Sequence, residues 1–111
     1  MPLLTCKKNS HSVLVSFAGD ATVRTVARIK SGLARLLREQ VEIYKLDIST
    51  VSDTDFTFIQ LLIAFHFKLK AMNRELVLIN CTDDSAFLQT ASLCGINLRG
   101  ILNFEEGGDG R

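Results

Sequence analysis

The sequence has almost no net charge, few cysteines and no apolar run long enough to span a membrane. Lysine and arginine (13) nearly balance aspartate and glutamate (12), so no overall field favours nucleic acid or a membrane surface. The three cysteines, Cys6, Cys81 and Cys94, match no zinc or redox spacing, which favours free thiols in a reducing cytoplasm. The longest apolar run, residues 61–67, is about one-third of a membrane span. We therefore expect a cytoplasmic protein that is not inserted in a membrane.

The sequence also lacks the common signatures of catalysis and of metal or cofactor binding. It contains no glycine-rich phosphate loop, no nucleophile paired with a base and no metal-ligand spacing. Asp47, Asp53 and Asp55 could together hold a divalent cation, but no fourth acidic ligand accompanies them. His66 has no nucleophile or acid spaced to meet it. The sequence therefore predicts neither an enzyme nor a cofactor or metal site.

What the sequence does contain is the pattern of one compact α/β domain. Its 111 residues are 47% apolar, which is enough for a single core. The periodicities predict strands at 2–7 and 12–17, a helix at 23–39, a strand at 41–48, a helix at 57–73, a strand at 75–79, a helix from 82–85 to 94, and a short strand within 98–104. We expect a mixed sheet of about five strands, with an N-terminal hairpin plus βαβ units, covered by three to four helices on one face. Residues 1–104 form the predicted domain, and the glycine-rich residues 105–111 a disordered tail.

Local signals set the expected boundaries of these elements. Gly19 is expected to end the second strand, and Thr22 to cap the first helix. Asp55 has the best capping chemistry for the second helix. The continuous apolar run at 76–79 predicts a strand that is buried on both faces.

The first predicted helix has an apolar face and an opposite basic face. Its apolar positions repeat at the helical period, and the opposite face carries Arg24, Arg28, Ser31, Arg35 and Arg38. This basic stripe is either a solvated face or an electrostatic contact for an acidic partner or a phosphate. No aromatic residues are interleaved with it, so we do not expect it to bind nucleic acid.

The stretch that joins the third strand to the second helix is the candidate binding site. Residues 53–57 are acidic, hydroxyl-bearing and aromatic, and they follow a parallel strand, which is where α/β folds place their sites. The second helix has one apolar core face and a further apolar line of Ile59, Ile63 and Phe67, spaced four residues apart. That line is either an interface with a partner or buried under the first helix.

Four segments together resemble the STAS domain, the module shared by sulfate transporter tails and bacterial anti-sigma factor antagonists. They are Phe17-Ala18-Gly19-Asp20, Leu46-Asp47-Ile48-Ser49 with Val51, Leu76-Val77-Leu78-Ile79-Asn80, and Ala91-Ser92-Leu93-Cys94-Gly95-Ile96, which is similar to the family's Leu-x-x-x-Gly-Leu ending. The resemblance covers roughly residues 3–104. It rests on the order and spacing of the segments, since no single motif is diagnostic.

The resemblance implies a phosphoacceptor loop that this sequence has altered. In the antagonist branch the loop reads Asp-Ser-Ser/Thr-Gly, and an anti-sigma factor that is also a kinase phosphorylates the first serine. With the family aspartate on Asp55, that serine falls on Phe56, its neighbour on Thr57 and the glycine on Phe58. The usual acceptor hydroxyl is therefore missing. Thr57 and Thr54 are the substitute candidates, unless Thr57 or Asp55 only caps the helix.

The resemblance also implies a function and a partner. We expect a non-enzymatic bacterial signalling module whose unphosphorylated form captures an anti-sigma factor or a related Ser/Thr kinase. The alternative, from another branch of the family, is an accessory STAS subunit bound to the ATPase of a lipid-transporting ABC complex. The expected partner-binding residues are Asp53, Thr54, Asp55, Phe56, Thr57, Ile59, Ile63 and Phe67. Nucleic-acid binding is not expected, and a homodimer is left open.

Overall fold

A computed structural model describes residues 4–8, 11–82 and 85–105. Within these ranges the chain forms five strands and three α-helices in the predicted order. The elements are β1 (Leu4–Lys8), β2 (Ser12–Ala21), α1 (Val26–Leu36), β3 (Ile43–Thr54), α2 (Phe56–Ala71), β4 (Glu75–Ile79), α3 (Ala86–Leu93), a 3-10 turn (Leu98–Gly100) and β5 (Asn103–Phe104). The predicted tail, apart from Glu105, lies outside the described residues.

The strands form one sheet in the order β1-β2-β3-β4-β5. β1 pairs antiparallel with β2 and the other neighbours pair in parallel, which confirms the predicted hairpin and βαβ units. The fully buried strand side chains alternate on a single face, the face that the helices cover; they include Val13, Val15, Phe17, Tyr44, Leu46, Leu76 and Leu78. The prediction that β4 is buried on both faces is wrong. Val77 and Ile79 stay partly exposed because none of the helices in the described part of the chain covers the opposite face.

β2 and β3 both run past their predicted ends. The prediction that Gly19 ends β2 is wrong, because the strand continues through it with a positive φ of 82°, a conformation that glycine adopts readily. β3 likewise continues beyond Ile48 to Thr54, because its last residues pair with those of β2. Two register shifts make this pairing irregular and hide it from a simple alternation pattern. Residues 49–54 are therefore strand, and Asp55 alone connects β3 to α2.

The first helix is shorter than its apolar pattern predicts. It begins after Thr25, and the predicted cap, Thr22, lies in a preceding turn. The Thr25 hydroxyl donates to the Asp20 carbonyl oxygen at 2.9 Å, and the Thr22 amide donates to the Thr25 hydroxyl oxygen at 3.1 Å. These bonds hold residues 22–25 as a turn between β2 and α1. Arg24 therefore lies outside α1, and the predicted basic stripe is broken at its start.

A hydrogen-bond network closes the amino end of the sheet. The fully buried Tyr44 donates its hydroxyl hydrogen to the Leu36 carbonyl oxygen at 2.9 Å. Arg74 Nη1, just before β4, donates to the Leu37 carbonyl oxygen and to the Tyr44 hydroxyl oxygen, each at 2.9 Å. The last carbonyls of a helix have no partner within the helix, so these side chains satisfy the end of α1. The positive charge of Arg74 also suits the negative end of the helix dipole.

Aromatic contacts fix α2 on the covered face of the sheet. The Phe58 ring meets the Phe17 ring edge to face at 5.5 Å between centroids, and the Phe87 ring at 5.8 Å. Tyr44 and Phe65 make a similar contact at 5.9 Å. Such pairs contribute about 0.5–1.5 kcal/mol beyond the area they bury. They anchor the first and third turns of α2. No helix among the described residues is long and apolar enough to cross a membrane.

Candidate functional site

The candidate site lies where β2 and β3 end and α2 begins. Asp55 caps α2, as predicted: its Oδ1 accepts a hydrogen bond from the Phe58 amide at 3.3 Å. Its Oδ2 accepts a second bond from the Val23 amide at 2.9 Å, in the turn between β2 and α1. A negative side chain is favourable at a helix N-terminus. One carboxylate therefore both starts α2 and ties a neighbouring turn to it.

Asp53 lies at the exposed edge of this site. Arg24 Nη2 is 2.9 Å from Asp20 Oδ2 and 3.9 Å from Asp53 Oδ2. Ion pairs this exposed contribute at most about 1 kcal/mol to stability. Their main effect is to set the charge pattern beside the start of α2.

The two candidate acceptor threonines differ in access. The Thr54 hydroxyl oxygen is buried and has no hydrogen-bond partner among the described residues. A kinase cannot reach it in this structure, so the expectation of Thr54 as a phosphoacceptor is corrected. Thr57 is half-exposed in the first turn of α2. A phosphate there would lie near the free amides of the helix N-terminus, which favour anions.

The predicted apolar line on α2 turns from the core to the surface. Ile59 is fully buried, so it cannot contact a partner in this structure, and its expected role in partner binding is corrected. Ile63 is half-buried, and 54% of the Phe67 side chain is exposed. The reason is the helical pitch: each step of four residues rotates by about 40°, so the line rotates by about 80° over its length. Phe56, by contrast, lies eleven residues before Phe67 and shares its face, with 44% of its surface exposed.

Val23 lies beside the start of α2, although the sequence pattern assigns it to the start of the first helix. It is 62% exposed, and the bond from its amide to Asp55 brings it beside the start of α2. We name the four residues Val23, Phe56, Ile63 and Phe67 the Phe56 surface. In the sequence, Val23 stands between two polar residues after a strand. This pattern is compatible with either a turn or a helix, so it does not predict that Val23 is exposed in a turn.

His66 lies beneath the exposed Phe67 ring. The two rings meet edge to face with centroids 5.0 Å apart, and only 5% of His66 is exposed. Its Nδ1 is buried and has no hydrogen-bond partner among the described residues. Burial disfavours the charged imidazolium, and Lys70 repels it, so the pKa of His66 lies below its usual value. A neutral His66 therefore acts as packing for Phe67.

The three aspartates considered for a cation site have separate roles. Asp47 Oδ1 accepts bonds from the Ser49 amide at 2.9 Å and hydroxyl at 2.7 Å, and its Oδ2 accepts one from Asn80 Nδ2 at 3.1 Å. Burial alone would raise the pKa of Asp47, but these bonds outweigh it and lower the pKa. Within the described residues, no three His, Cys, Asp or Glu side chains converge to hold a metal ion. The geometry gives no support to a site built from Asp47, Asp53 and Asp55.

The fold is that of the STAS class of domains. The family model described as "Mlab, STAS domain" matches residues 4–102. The chain therefore belongs to this STAS family. No match to the chain was found among the curated protein sequences.

Three solved structures share this fold at low sequence identity. An anti-sigma factor antagonist from Mycobacterium paratuberculosis has a TM-score of 0.77 at 15% identity, over 96% of this chain and 86% of its own. A variant of RsbS from Moorella thermoacetica has a TM-score of 0.72 at 18% identity, over 92% and 85%. The anti-sigma factor antagonist SpoIIAA in its unphosphorylated form has a TM-score of 0.68 at 12% identity, over 94% and 88%. At these identities the likeness establishes a common fold.

Proposed function

We propose that the chain is a non-enzymatic protein-binding module of the partner-switching type, and that it binds its partner through the Phe56 surface. The observation that carries this proposal is the exposure of Phe56 and Phe67, 44% and 54%, on one face of α2. Phe56 occupies the position at which the antagonist branch of the family has its phosphorylated serine. The anti-sigma factor antagonists that share the fold support a role of this kind.

The Phe56 surface favours binding by packing. Fully burying an aromatic side chain contributes about 1.5–3 kcal/mol, and roughly half of each ring is still exposed. Covering both rings would therefore contribute about 2 kcal/mol to binding, before any contribution from Val23. Buried aromatic anchors of this type commonly dominate protein interfaces.

Phosphorylation, if it regulates this chain, acts through Thr57. Phe56 has no hydroxyl, and the Thr54 hydroxyl is buried. A phosphate on Thr57 would place nearly two negative charges next to Phe56, in a contact that is otherwise apolar. Desolvating that charge would weaken the complex. Phosphorylation of Thr57 would therefore release the partner, as phosphorylation is expected to do in the antagonist branch of the family.

Two partners fit the proposal. The first is an anti-sigma factor or related Ser/Thr kinase, as for the antagonists that share the fold. The second is the ATPase of a lipid-transporting ABC complex, for which the chain would be an accessory subunit. The second is favoured by one observation: an exposed aromatic ring at the acceptor position suits a permanent contact better than a reversible one.

The test is affinity capture from the native organism with wild-type protein and three single variants. Phe56→Asp and Phe67→Asp place a charge on the proposed surface. Leu93→Asp is the matched control, because Leu93 is 89% exposed but lies on α3. We expect the wild type and Leu93→Asp to capture the partner, and the other two to lose it while their circular dichroism spectra stay unchanged. Equal capture by all four proteins would contradict the proposal.

The captured partner then decides between the two candidates by its identity. A kinase-like anti-sigma factor supports the first, and an ABC ATPase the second. Capture of only further copies of this chain would indicate a homodimer and refute both. Incubation with ATP and a captured kinase, followed by intact mass measurement of wild type and Thr57→Val, tests the phosphorylation step. Equal modification of both proteins would exclude Thr57.

A further inference from the structure

A groove separates the outer surfaces of α1 and α2, on the flank of α2 that faces α1. Its volume is about 220 Å³. Leu33, Leu61 and Phe65 form its apolar floor, and the small exposed side chains of Ala34 and Ala64 leave it open to solvent. None of the residues of the Phe56 surface lines it. The groove is therefore a second apolar feature, distinct from the proposed partner site.

The surroundings of the groove are positively charged. Lys30 from α1 and Lys68 from α2 line it, and both are exposed. Neither helix contains an aspartate or a glutamate. Among the residues that the structure describes, no ion pair engages either lysine. An occupant with negative charge on both sides of an apolar strip would complement this pattern.

We propose that this groove binds the apolar face of an acidic amphipathic helix from a protein partner. Its volume is below the roughly 300 Å³ at which small-molecule pockets begin, so it suits a few side-chain anchors better than a whole ligand. An amphipathic helix supplies such anchors at positions i, i+3 or i+4, and i+7. Its flanking carboxylates would pair with Lys30 and Lys68. This surface goes beyond the proposed function, which uses another flank of α2.

The test begins with a selection of binders to the full chain from a library of helix-forming peptides. The selected peptides are expected to carry apolar residues at the anchor spacing, with aspartate or glutamate beside them. Selected peptides that are not enriched in acidic residues would overturn the proposal, as would a selection that yields no binder. A further experiment measures whether phosphatidylglycerol vesicles compete with the acidic peptides for the groove. Vesicles that bind the groove while no peptide does would assign it to a membrane and also overturn the proposal.

Two matched pairs of variants locate the binding site of the selected peptides. Ala64→Tyr fills the groove and should weaken binding at least about tenfold, whereas Ser52→Tyr, exposed on β3 and outside the groove, should leave it within about twofold. Lys30→Glu with Lys68→Glu should weaken binding at least about tenfold. Arg28→Glu with Arg35→Glu changes the net charge equally outside the groove and should have a several-fold smaller effect. Equal effects within either pair would refute the assignment.

The outcome is separable from that of the proposed function. Phe56→Asp should abolish partner capture but leave binding of the acidic peptides unchanged. Loss of peptide binding in Phe56→Asp would refute the groove as the site. Loss of peptide binding in Ala64→Tyr, with partner capture through Phe56 intact, supports both assignments. Circular dichroism on each variant distinguishes lost binding from lost folding.

Discussion

The two ends of the sheet use polar side chains in opposite ways. At the amino end, Tyr44 and Arg74 satisfy the last carbonyls of α1, and Tyr44 is fully buried. At the carboxyl end, Asp55 bonds two backbone amides, while Val23 and Phe56 beside it stay exposed. The first arrangement fixes how the helices pack on the sheet. The second fixes where apolar side chains meet the solvent.

If the Phe56 surface binds the partner as proposed, stability and recognition depend on different parts of this small domain. An exposed aromatic ring adds little to the folded state, so it can change without unfolding the protein. A buried network has the reverse property, because removing one member leaves the others without partners. Substitutions at the two ends should therefore separate cleanly into losses of stability and losses of binding.

The largest expected effect is on stability, and it contrasts two residues of the predicted apolar line on α2. Ile59→Ala should lower the free energy of unfolding by about 3 kcal/mol, because it removes a fully buried side chain. Phe67→Ala, eight residues later and 54% exposed, should lower it by less than about 1 kcal/mol. Urea unfolding measures both. Similar losses in the two variants would show that Phe67 is part of the core.

The next prediction tests the hydrogen-bond network at the amino end of the sheet. Arg74→Met keeps the aliphatic stem but removes the two hydrogen bonds to Leu37 and Tyr44. We expect it to lower the free energy of unfolding by about 2 kcal/mol, since hydrogen bonds from charged groups contribute about 1.5–3 kcal/mol. Its affinity for the captured partner should stay within about twofold. Arg28→Met, at an exposed position of α1, is the control and should change stability by less than about 0.5 kcal/mol.

A smaller effect tests the link between Asp55 and the Phe56 surface. Asp55→Ala should lower the free energy of unfolding by about 1 kcal/mol, the usual effect of losing a helix cap. It should also weaken partner binding, because the Val23 turn is no longer tied to α2. Asp55→Asn can keep the cap, since asparagine is also a good cap, but its single amide oxygen cannot accept both bonds, so the bond from the Val23 amide is lost. Titration calorimetry with the captured partner measures the affinity. An unchanged affinity in Asp55→Ala would show that Val23 does not contribute to the interface.

The smallest effect is a pH dependence that arises from His66. The pKa of His66 is lower in the folded protein than its ordinary value of 6.5. At a pH below this ordinary value, the unfolded chain therefore binds the proton more readily than the folded chain does. The free energy of unfolding should therefore fall as the pH drops from about 7.5 to about 5.5. His66→Leu should flatten this change. A steeper fall in His66→Leu than in wild type would contradict a neutral, buried His66.

The order of elements and the cap at Asp55 could be predicted from the sequence because both depend on local patterns. The continuation of β3 to Thr54 could not, since its register shifts break the two-residue alternation just after Ile48. The exposure of Val23 depends on a turn held by contacts distant in sequence, which periodicity does not show. The separation of Ile59 from Phe67 was within reach of sequence reasoning. The rotation of a four-residue repeat around a helix is sufficient to predict it.

The most direct test of the Phe56 surface is to introduce at position 56 the serine that the resemblance to the antagonist branch predicts there. Phe56→Ser should fold with wild-type stability, because Phe56 is 44% exposed and lies in the first turn of α2. Its dissociation constant for the captured partner, measured by titration calorimetry, should rise about tenfold, since the aromatic contact is lost. A Phe56→Ser protein that binds as tightly as the wild type would contradict recognition by aromatic packing.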